Sequence, residues 1–322
     1  MKIVVLMRPG RIDIGQLAAR HPEQLFVPVE DAAGLARELP DAEVLVTANT
    51  HYDAAVAAIA KRPGGLKWIQ FTTSGVDAAL RAGGFPNGVI VTNGAGMAAP
   101  MVAEHGFALA LMVGHRLRDM EQAAARGEWR RDLRDSMIAL YGRTICIIGL
   151  GAVGREAARR ARAFGMTVIG VSRAAVADDL IDEVYARERL AEALTRADLI
   201  MLTTVATAET VDLIDAAAFA AMKPGAILVN VARGELIDEE ALAAACHAGR
   251  IAGAGLDVAK IEPLPADSPL WRLPNVVVTP HLAGGGADNS SLLVDMIDEN
   301  LSRYLRGERL TRIVDWKNIR LA

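Results

Sequence analysis

The chain has 322 residues and a formal net charge of −4, a size that predicts two domains with ample core. This acidic balance does not favour a nucleic-acid partner, and the longest apolar helical stretch, 106–114, is too short to cross a bilayer. The apolar run within residues 1–7 is shorter than a signal-peptide core, so we expect a cytoplasmic protein. The cysteines Cys146 and Cys246 indicate no disulfide framework or thiolate metal site, and we expect both to be buried.

Residues 2–99 alternate short apolar runs with Ala-rich or amphipathic segments, which predicts a parallel sheet with helices on both faces. The predicted strands are 2–7, 44–47, 66–71 and 89–92, and the predicted helices lie near 31–38 and 53–60. Ser74, Gly75 and Val76 follow a strand and open a helix, so their amides can hold a small anion such as a carboxylate. A plain helix cap is the alternative.

The segment 101–126 is predicted to form one long helix with several apolar faces, after a loop at 93–96 that can act as a hinge. So much apolar helical surface indicates either an interdomain spine or a subunit interface, and we expect a homodimer.

The second domain is predicted to carry six strands, whose spacing matches the doubly wound dinucleotide-binding fold. They are 144–148, 167–171, 199–203, 227–231, 253–258 and 276–278. The predicted fold class is α/β with two doubly wound parallel-sheet domains. These are a Rossmann NAD(P)-binding domain, 100–287, and a smaller flavodoxin-like substrate-binding domain, 1–99 plus 288–322, which includes a helix at 289–305.

A G-x-G-x-x-G pattern lies between the strand 144–148 and a predicted helix at 153–164. Its glycines let the backbone turn tightly and approach a pyrophosphate, which binds the free N–H groups at the helix start. An ordinary turn with chance glycines is the alternative. The candidate cofactor-binding positions here are Gly149, Gly151, Ala152, Val153 and Gly154.

The strand 167–171 ends at Ser172 and Arg173, where an NAD-preferring fold carries an acid for the ribose 2′-hydroxyl. A hydroxyl and a guanidinium instead suit a 2′-phosphate, so we expect NADP to be preferred over NAD. The alternative is that Arg173 is a surface arginine and both cofactors serve.

Arg233, Glu262 and His281 follow strand ends of the second domain, where this fold places its active site. Singly, they can be a turn arginine, an exposed loop acid and a packed histidine. Together they suit reduction of a 2-oxo acid: a cation for the carboxylate, an imidazole that exchanges the proton and a carboxylate that keeps the imidazole charged.

The sequence resembles the D-isomer-specific 2-hydroxyacid dehydrogenases over nearly its whole length. The resemblance rests on segments 74–77, 102–105, the glycine turn, 222–234, 255–258, 262–263 and 279–281. It implies catalytic roles for Arg233, Glu262 and His281, a substrate-carboxylate site at 74–76 and a cleft that assembles when the domains close. It further implies that Asp257 seats the nicotinamide amide and that Val205 and Ala232 contact the cofactor.

Two departures from the family pattern bear on specificity. Ala259 and Lys260 replace a common Phe, and Thr203-Thr204-Val205 replaces the usual His-x-Pro. The loops 47–52 and 72–76 contain no Lys or Arg, so phosphoglycerate is disfavoured and a small substrate such as glyoxylate or hydroxypyruvate is expected. The alternatives are an NAD-linked dehydrogenase working oxidatively and a non-catalytic cofactor-sensing protein.

Overall fold

The computed structural model describes residues 1–173, 177–286 and 289–319, which form two compact units. Unit 1 comprises residues 1–98 and the described residues from 286 onward, and unit 2 comprises Ala99–Gly285. Each unit is built on a parallel sheet with helices between its strands, so the predicted α/β class is confirmed.

Unit 1 has a five-stranded sheet in the order β2-β1-β3-β4-β5, the flavodoxin-like order. Its elements are β1 (Lys2–Leu6), α1 (Ile14–Arg20), β2 (Leu25–Val29), α2 (Ala32–Glu38), β3 (Val44–Thr47), α3 (Ala54–Ala60), β4 (Trp68–Phe71), α4 (Asp77–Arg81), β5 (Ile90–Thr92) and, at its end, α11 (Asn289–Leu305). The central strands β3 and β4 are wholly buried because helices cover both faces of the sheet. The helix predicted to open after Val76 is present as α4, whereas the sequence prediction missed α1 and β2.

Unit 2 has a seven-stranded sheet in the order β12-β11-β10-β9-β6-β7-β8, the doubly wound dinucleotide-binding arrangement. Its elements are α5 (Ala99–Gly114), α6 (Leu117–Ala125), β6 (Thr144–Ile148), α7 (Ala152–Ala163), β7 (Thr167–Val171), β8 (Glu183–Tyr185), α8 (Leu190–Arg196), β9 (Leu199–Leu202), α9 (Ala216–Ala221), β10 (Ile227–Asn230), α10 (Glu239–His247), β11 (Gly253–Leu256) and β12 (Val276–Val278). The six predicted strands are present, and the short edge strand β8 was missed.

The prediction of one long helix over 101–126 is wrong, because the segment forms two helices, α5 and α6. The carbonyl of Gly114 accepts a hydrogen bond from the backbone N–H of Ile138 (2.7 Å), a residue outside the helix. Arg116 then adopts a left-handed conformation (φ 54°), and its guanidinium donates to Asp119 and Ser136. These contacts turn the chain before α6 begins.

Hydrophobic side chains cover both faces of each sheet, and the expected burial of both cysteines is confirmed. Burial raises the pKa of Cys146 and of Cys246 to about 12. Among the residues that the structure describes, none of the helices combines the length and apolarity needed to cross a membrane.

Candidate active site

The glycine turn lies where the strand order of the unit 2 sheet reverses, between β6 and β9. Gly149 has φ 102°, and a Cβ there would lie 2.8 Å from the Cα of Thr204. A Cβ on Gly154 would lie 2.0 Å from the carbonyl oxygen of Gly149, so this glycine lets α7 pack against the turn. A Cβ on Gly151 would meet nothing within 4 Å, so this face of the turn is open for a pyrophosphate. The turn therefore fits a dinucleotide at the start of α7.

The other candidate cofactor contacts also follow strand ends of this sheet. Ser172 and Arg173 follow β7, where the backbone N–H of Ser172 donates to the carbonyl of Tyr185 (3.1 Å). The Arg173 side chain is 76% exposed. Val205 follows β9 and is exposed, whereas Ala232 follows β10 and is buried. The carboxyl edge of the unit 2 sheet thus carries all of them.

The imidazole of His281 and the carboxylate of Glu262 form a hydrogen-bonded pair. His281 Nδ1 lies 2.8 Å from Glu262 Oε2, and Glu262 Oε1 accepts from the backbone N–H of Ala259 (3.2 Å). The His281 side chain is 48% exposed, so it is not a packed core histidine. Because Nδ1 is used by Glu262, Nε2 is the ring nitrogen that can exchange a proton with a substrate.

Arg233 is brought to the same loop by a close backbone approach. A Cβ on the next residue, Gly234, would lie 1.9 Å from the carbonyl carbon of Ala259, three residues before Glu262. The buried Asn230 side chain closes the turn that carries Arg233, since it donates to the Arg233 carbonyl (2.8 Å) and accepts from the Ala232 N–H (3.0 Å). Glycine at 234 is therefore required for the arginine turn and the Glu262 loop to touch.

The carboxylate of Asp257 holds the loop that carries His281. It is 1% exposed, and its two oxygens accept from the backbone N–H groups of Leu282 (2.9 Å) and Ala283 (2.8 Å). The carbonyl of Asp257 accepts from the N–H of His281 (2.7 Å), whose backbone is in the left-handed region at φ 54°. These hydrogen bonds hold His281 in a strained backbone conformation, as is common at active sites.

Two residues of this network, His105 and Thr279, were missed as functional candidates. The Thr279 hydroxyl donates to Asp257 Oδ1 (2.6 Å) and lies 2.9 Å from His105 Nε2, which is itself 3.4 Å from Asp257 Oδ1. Both lie in segments that carry the family resemblance, 102–105 and 279–281, and that is the one signal that could have found them.

The Ser74–Val76 turn follows β4 of unit 1. Hydroxyl groups here bond to nearby backbone carbonyls. The Ser74 hydroxyl donates to the carbonyl of Gly94 (3.2 Å), and the Thr73 hydroxyl donates to the carbonyl of Gly75 (3.0 Å). Within residues 1–173, none of the amide N–H groups of Ser74, Gly75 and Val76 donates a hydrogen bond. The helix that follows, α4, has five residues, so an anion here would depend on these amides rather than on a helix dipole.

The same sheet edge in unit 1 carries basic charge outside the loops 47–52 and 72–76. Arg8 and Arg11 follow β1, and both side chains are exposed. Burial, and then the charges of these two arginines, lower the pKa of His51, which follows the neighbouring strand β3. Cationic groups therefore lie near the loop at 47–52 although that loop itself contains none.

Known proteins resemble this chain in both sequence and structure. Residues 107–283 match the family model described as D-isomer specific 2-hydroxyacid dehydrogenase, NAD binding domain. Glyoxylate reductase of Korarchaeum cryptofilum is 35% identical over 240 residues, which cover 73% of this chain and 71% of that protein. D-3-phosphoglycerate dehydrogenase of Methanocaldococcus jannaschii is 35% identical over 304 residues, which cover 90% of this chain. The chain spans about half (56%) of that relative's length.

A solved structure with a bound cofactor has the same fold. It is a D-isomer specific 2-hydroxyacid dehydrogenase of Xanthobacter autotrophicus Py2 in complex with NADPH and MES. The two chains superpose with a TM-score of 0.82 at 28% identity, and the match covers 98% of each chain.

Proposed function

Because the chain belongs to the D-isomer specific 2-hydroxyacid dehydrogenase family, we propose that it reduces a small 2-oxo acid to the D-2-hydroxy acid, with NADPH as the preferred reductant. The observation that carries the proposal is the His281–Glu262 pair, joined through the Ala259 contact to the turn of Arg233. This set lies on the sheet that also bears the glycine turn.

Each of the three side chains has a distinct role in the proposed reaction. Arg233 binds the substrate carboxylate and stabilises the negative charge that develops on the carbonyl oxygen. His281, as imidazolium, gives the proton on Nε2 to that oxygen. Glu262 accepts from Nδ1 (2.8 Å), which fixes the orientation of the ring. When bound, the nicotinamide supplies the hydride.

The cofactor is proposed to bind along the carboxyl edge of the unit 2 sheet. The pyrophosphate would lie at Gly149–Gly154, and the ribose 2′-phosphate would contact Ser172 and Arg173. The NADPH bound to the Xanthobacter relative supports this preference. NAD remains the alternative cofactor. Further proposed contacts are Val205, Ala232 and, at the nicotinamide amide, Asp257.

The proposed substrates are glyoxylate and hydroxypyruvate, in line with the relative named glyoxylate reductase. The amides of Ser74, Gly75 and Val76 are proposed to bind the substrate carboxylate as well. A second candidate is a 2-oxo acid with an anionic tail, which Arg8 and Arg11 favour because they place positive charge at the strand ends of unit 1.

We also propose a homodimer. Exposed apolar groups on and after α6 support it, since Leu117 is 43% and Trp129 is 89% exposed.

The experiment that tests the proposal is a steady-state panel with NADPH and with NADH. Glyoxylate, hydroxypyruvate, oxaloacetate and 3-phosphohydroxypyruvate would be the oxidants. Glycolate, which is achiral, and the D-isomers of the other three 2-hydroxy acids would be tested with NADP and NAD in the reverse direction. We expect reduction with a higher kcat/KM for NADPH than for NADH. Equal values or an NADH preference would refute the cofactor assignment. Binding of either cofactor without turnover of any acid would instead indicate a sensing protein.

A further inference from the structure

Two arginines and one glutamate meet beside the proposed 2′-phosphate position. The Glu209 carboxylate oxygen Oε2 lies 2.8 Å from Arg187 Nη1 and 3.7 Å from Arg173 Nη1. Arg187 Nη1 also donates to the backbone carbonyl of Glu209 (3.3 Å). The three residues follow β7, β8 and β9, whose carboxyl ends lie on one edge of the sheet. We refer to Arg173, Arg187 and Glu209 as the arginine–glutamate cluster.

The cluster has one surplus positive charge, and little free energy is needed to break the ion pairs between its arginines and Glu209. Arg173 is 76% exposed and Glu209 is 57% exposed, so the ion pairs between them are weak and screened by salt. Arg187 is less exposed, at 30%, and it is anchored by its bond to the Glu209 backbone. A more highly charged anion can therefore replace the Glu209 side chain as the partner of both guanidinium groups.

We propose that Arg187 is a second cation of the 2′-phosphate site and that Glu209 sets the ratio of NADP to NAD binding. This inference rests on the proposed function, which places the phosphate at Ser172 and Arg173. A phosphomonoester carries nearly two negative charges near pH 7 and accepts bidentate bonds from guanidinium groups. Glu209 competes with it for the same two arginines and repels it. A ribose 2′-hydroxyl carries no charge, so NAD binding is nearly indifferent to the cluster.

The test is calorimetric measurement of the dissociation constants of NADPH and NADH for the full chain and four variants. Glu209→Gln removes the competing charge, and Arg187→Gln removes the second cation. Glu192→Gln and Arg189→Gln are the matched controls, because these two residues form their own exposed pair (2.6 Å) next to Arg187 in sequence. Each control therefore makes the same charge change without touching the cluster.

We expect Glu209→Gln to tighten NADPH binding by about two- to five-fold and Arg187→Gln to weaken it by a similar factor. Both effects should shrink in about 1 M salt, where the Debye length falls to about 3 Å, while NADH binding and the control variants stay near wild type. Equal changes for NADPH and NADH, or equal changes in the controls, would overturn the inference. Failure of the proposed function is separate, since wild-type protein would then turn over no 2-oxo acid whatever the dissociation constants show.

Discussion

Replacing Thr279 with valine tests whether the buried network holds the His281 loop in its working position. Valine keeps the shape of threonine but removes the hydroxyl that donates to Asp257 Oδ1 (2.6 Å) and contacts His105 Nε2 (2.9 Å). A hydrogen bond to a charged group contributes about 1.5–3 kcal/mol. Asp257 is 1% exposed, so water does not readily replace the lost donor. For a domain of this size the loss corresponds to a Tm lower by about 3–12 °C.

The activity effect of Thr279→Val should exceed a pure stability effect, because the loop carries the proton-exchanging imidazole. We expect kcat to fall by about 10-fold or more, since a small misplacement of a catalytic group is costly. Thr279→Ser keeps the hydroxyl and should restore kcat. Thr195→Val removes an exposed hydroxyl that donates to Glu192 O (2.7 Å) and should leave kcat unchanged. Thermal unfolding gives the loss of stability, and kcat measured below the Tm gives the separate loss of activity. Wild-type values for Thr279→Val, or equal damage in Thr279→Ser, would refute the reasoning.

The glycine turn and the two cysteines give further predictions. Gly154→Ala places a Cβ 2.0 Å from the carbonyl oxygen of Gly149 and should lower the Tm. In Gly151→Ala the new Cβ meets nothing within 4 Å, so this variant should weaken cofactor binding and keep the wild-type Tm. Thermal unfolding and calorimetric cofactor binding separate the two effects, and an equal loss of Tm in both variants would contradict this account. Burial raises the pKa values of Cys146 and Cys246 to about 12. Both thiols should therefore react with a thiol reagent at pH 8 only after the protein unfolds. Rapid labelling of the folded protein would count against their burial. The same burial should lower the free energy of unfolding as the pH rises from about 9, where the unfolded thiols ionise, towards 12.

Much of the unit 2 fold could be predicted from sequence because its strands are continuous apolar runs. The strands 144–148, 167–171 and 276–278 have the predicted bounds, since glycines and polar residues flank them closely. The edge strands β2 and β8 could not be predicted in this way. β2 is the apolar run Leu-Phe-Val-Pro-Val, but its Pro28 argues against a strand, and β8 has only three residues, too few for a clear pattern.

The break in the predicted 101–126 helix and the network behind His281 depend on contacts between distant segments. The helix ends because Ile138 bonds to Gly114, and no local proline marks that position. Sequence spacing likewise indicates that His281 follows a strand end, yet it does not show that Asp257 binds the loop or that His105 and Thr279 join it. Short-range patterns predict elements, whereas these side-chain pairings arise from tertiary packing.

The central claim is that His281 exchanges the proton during reduction of a 2-oxo acid. The direct measurement is kcat for glyoxylate and hydroxypyruvate with saturating NADPH, for the wild type, His281→Ala and the exposed-histidine control His247→Ala, with Tm and NADPH binding measured in parallel. We predict that His281→Ala lowers kcat by about 10²- to 10⁴-fold while Tm and NADPH binding are retained, and that His247→Ala is active. Near-normal turnover by a folded His281→Ala variant would contradict the account.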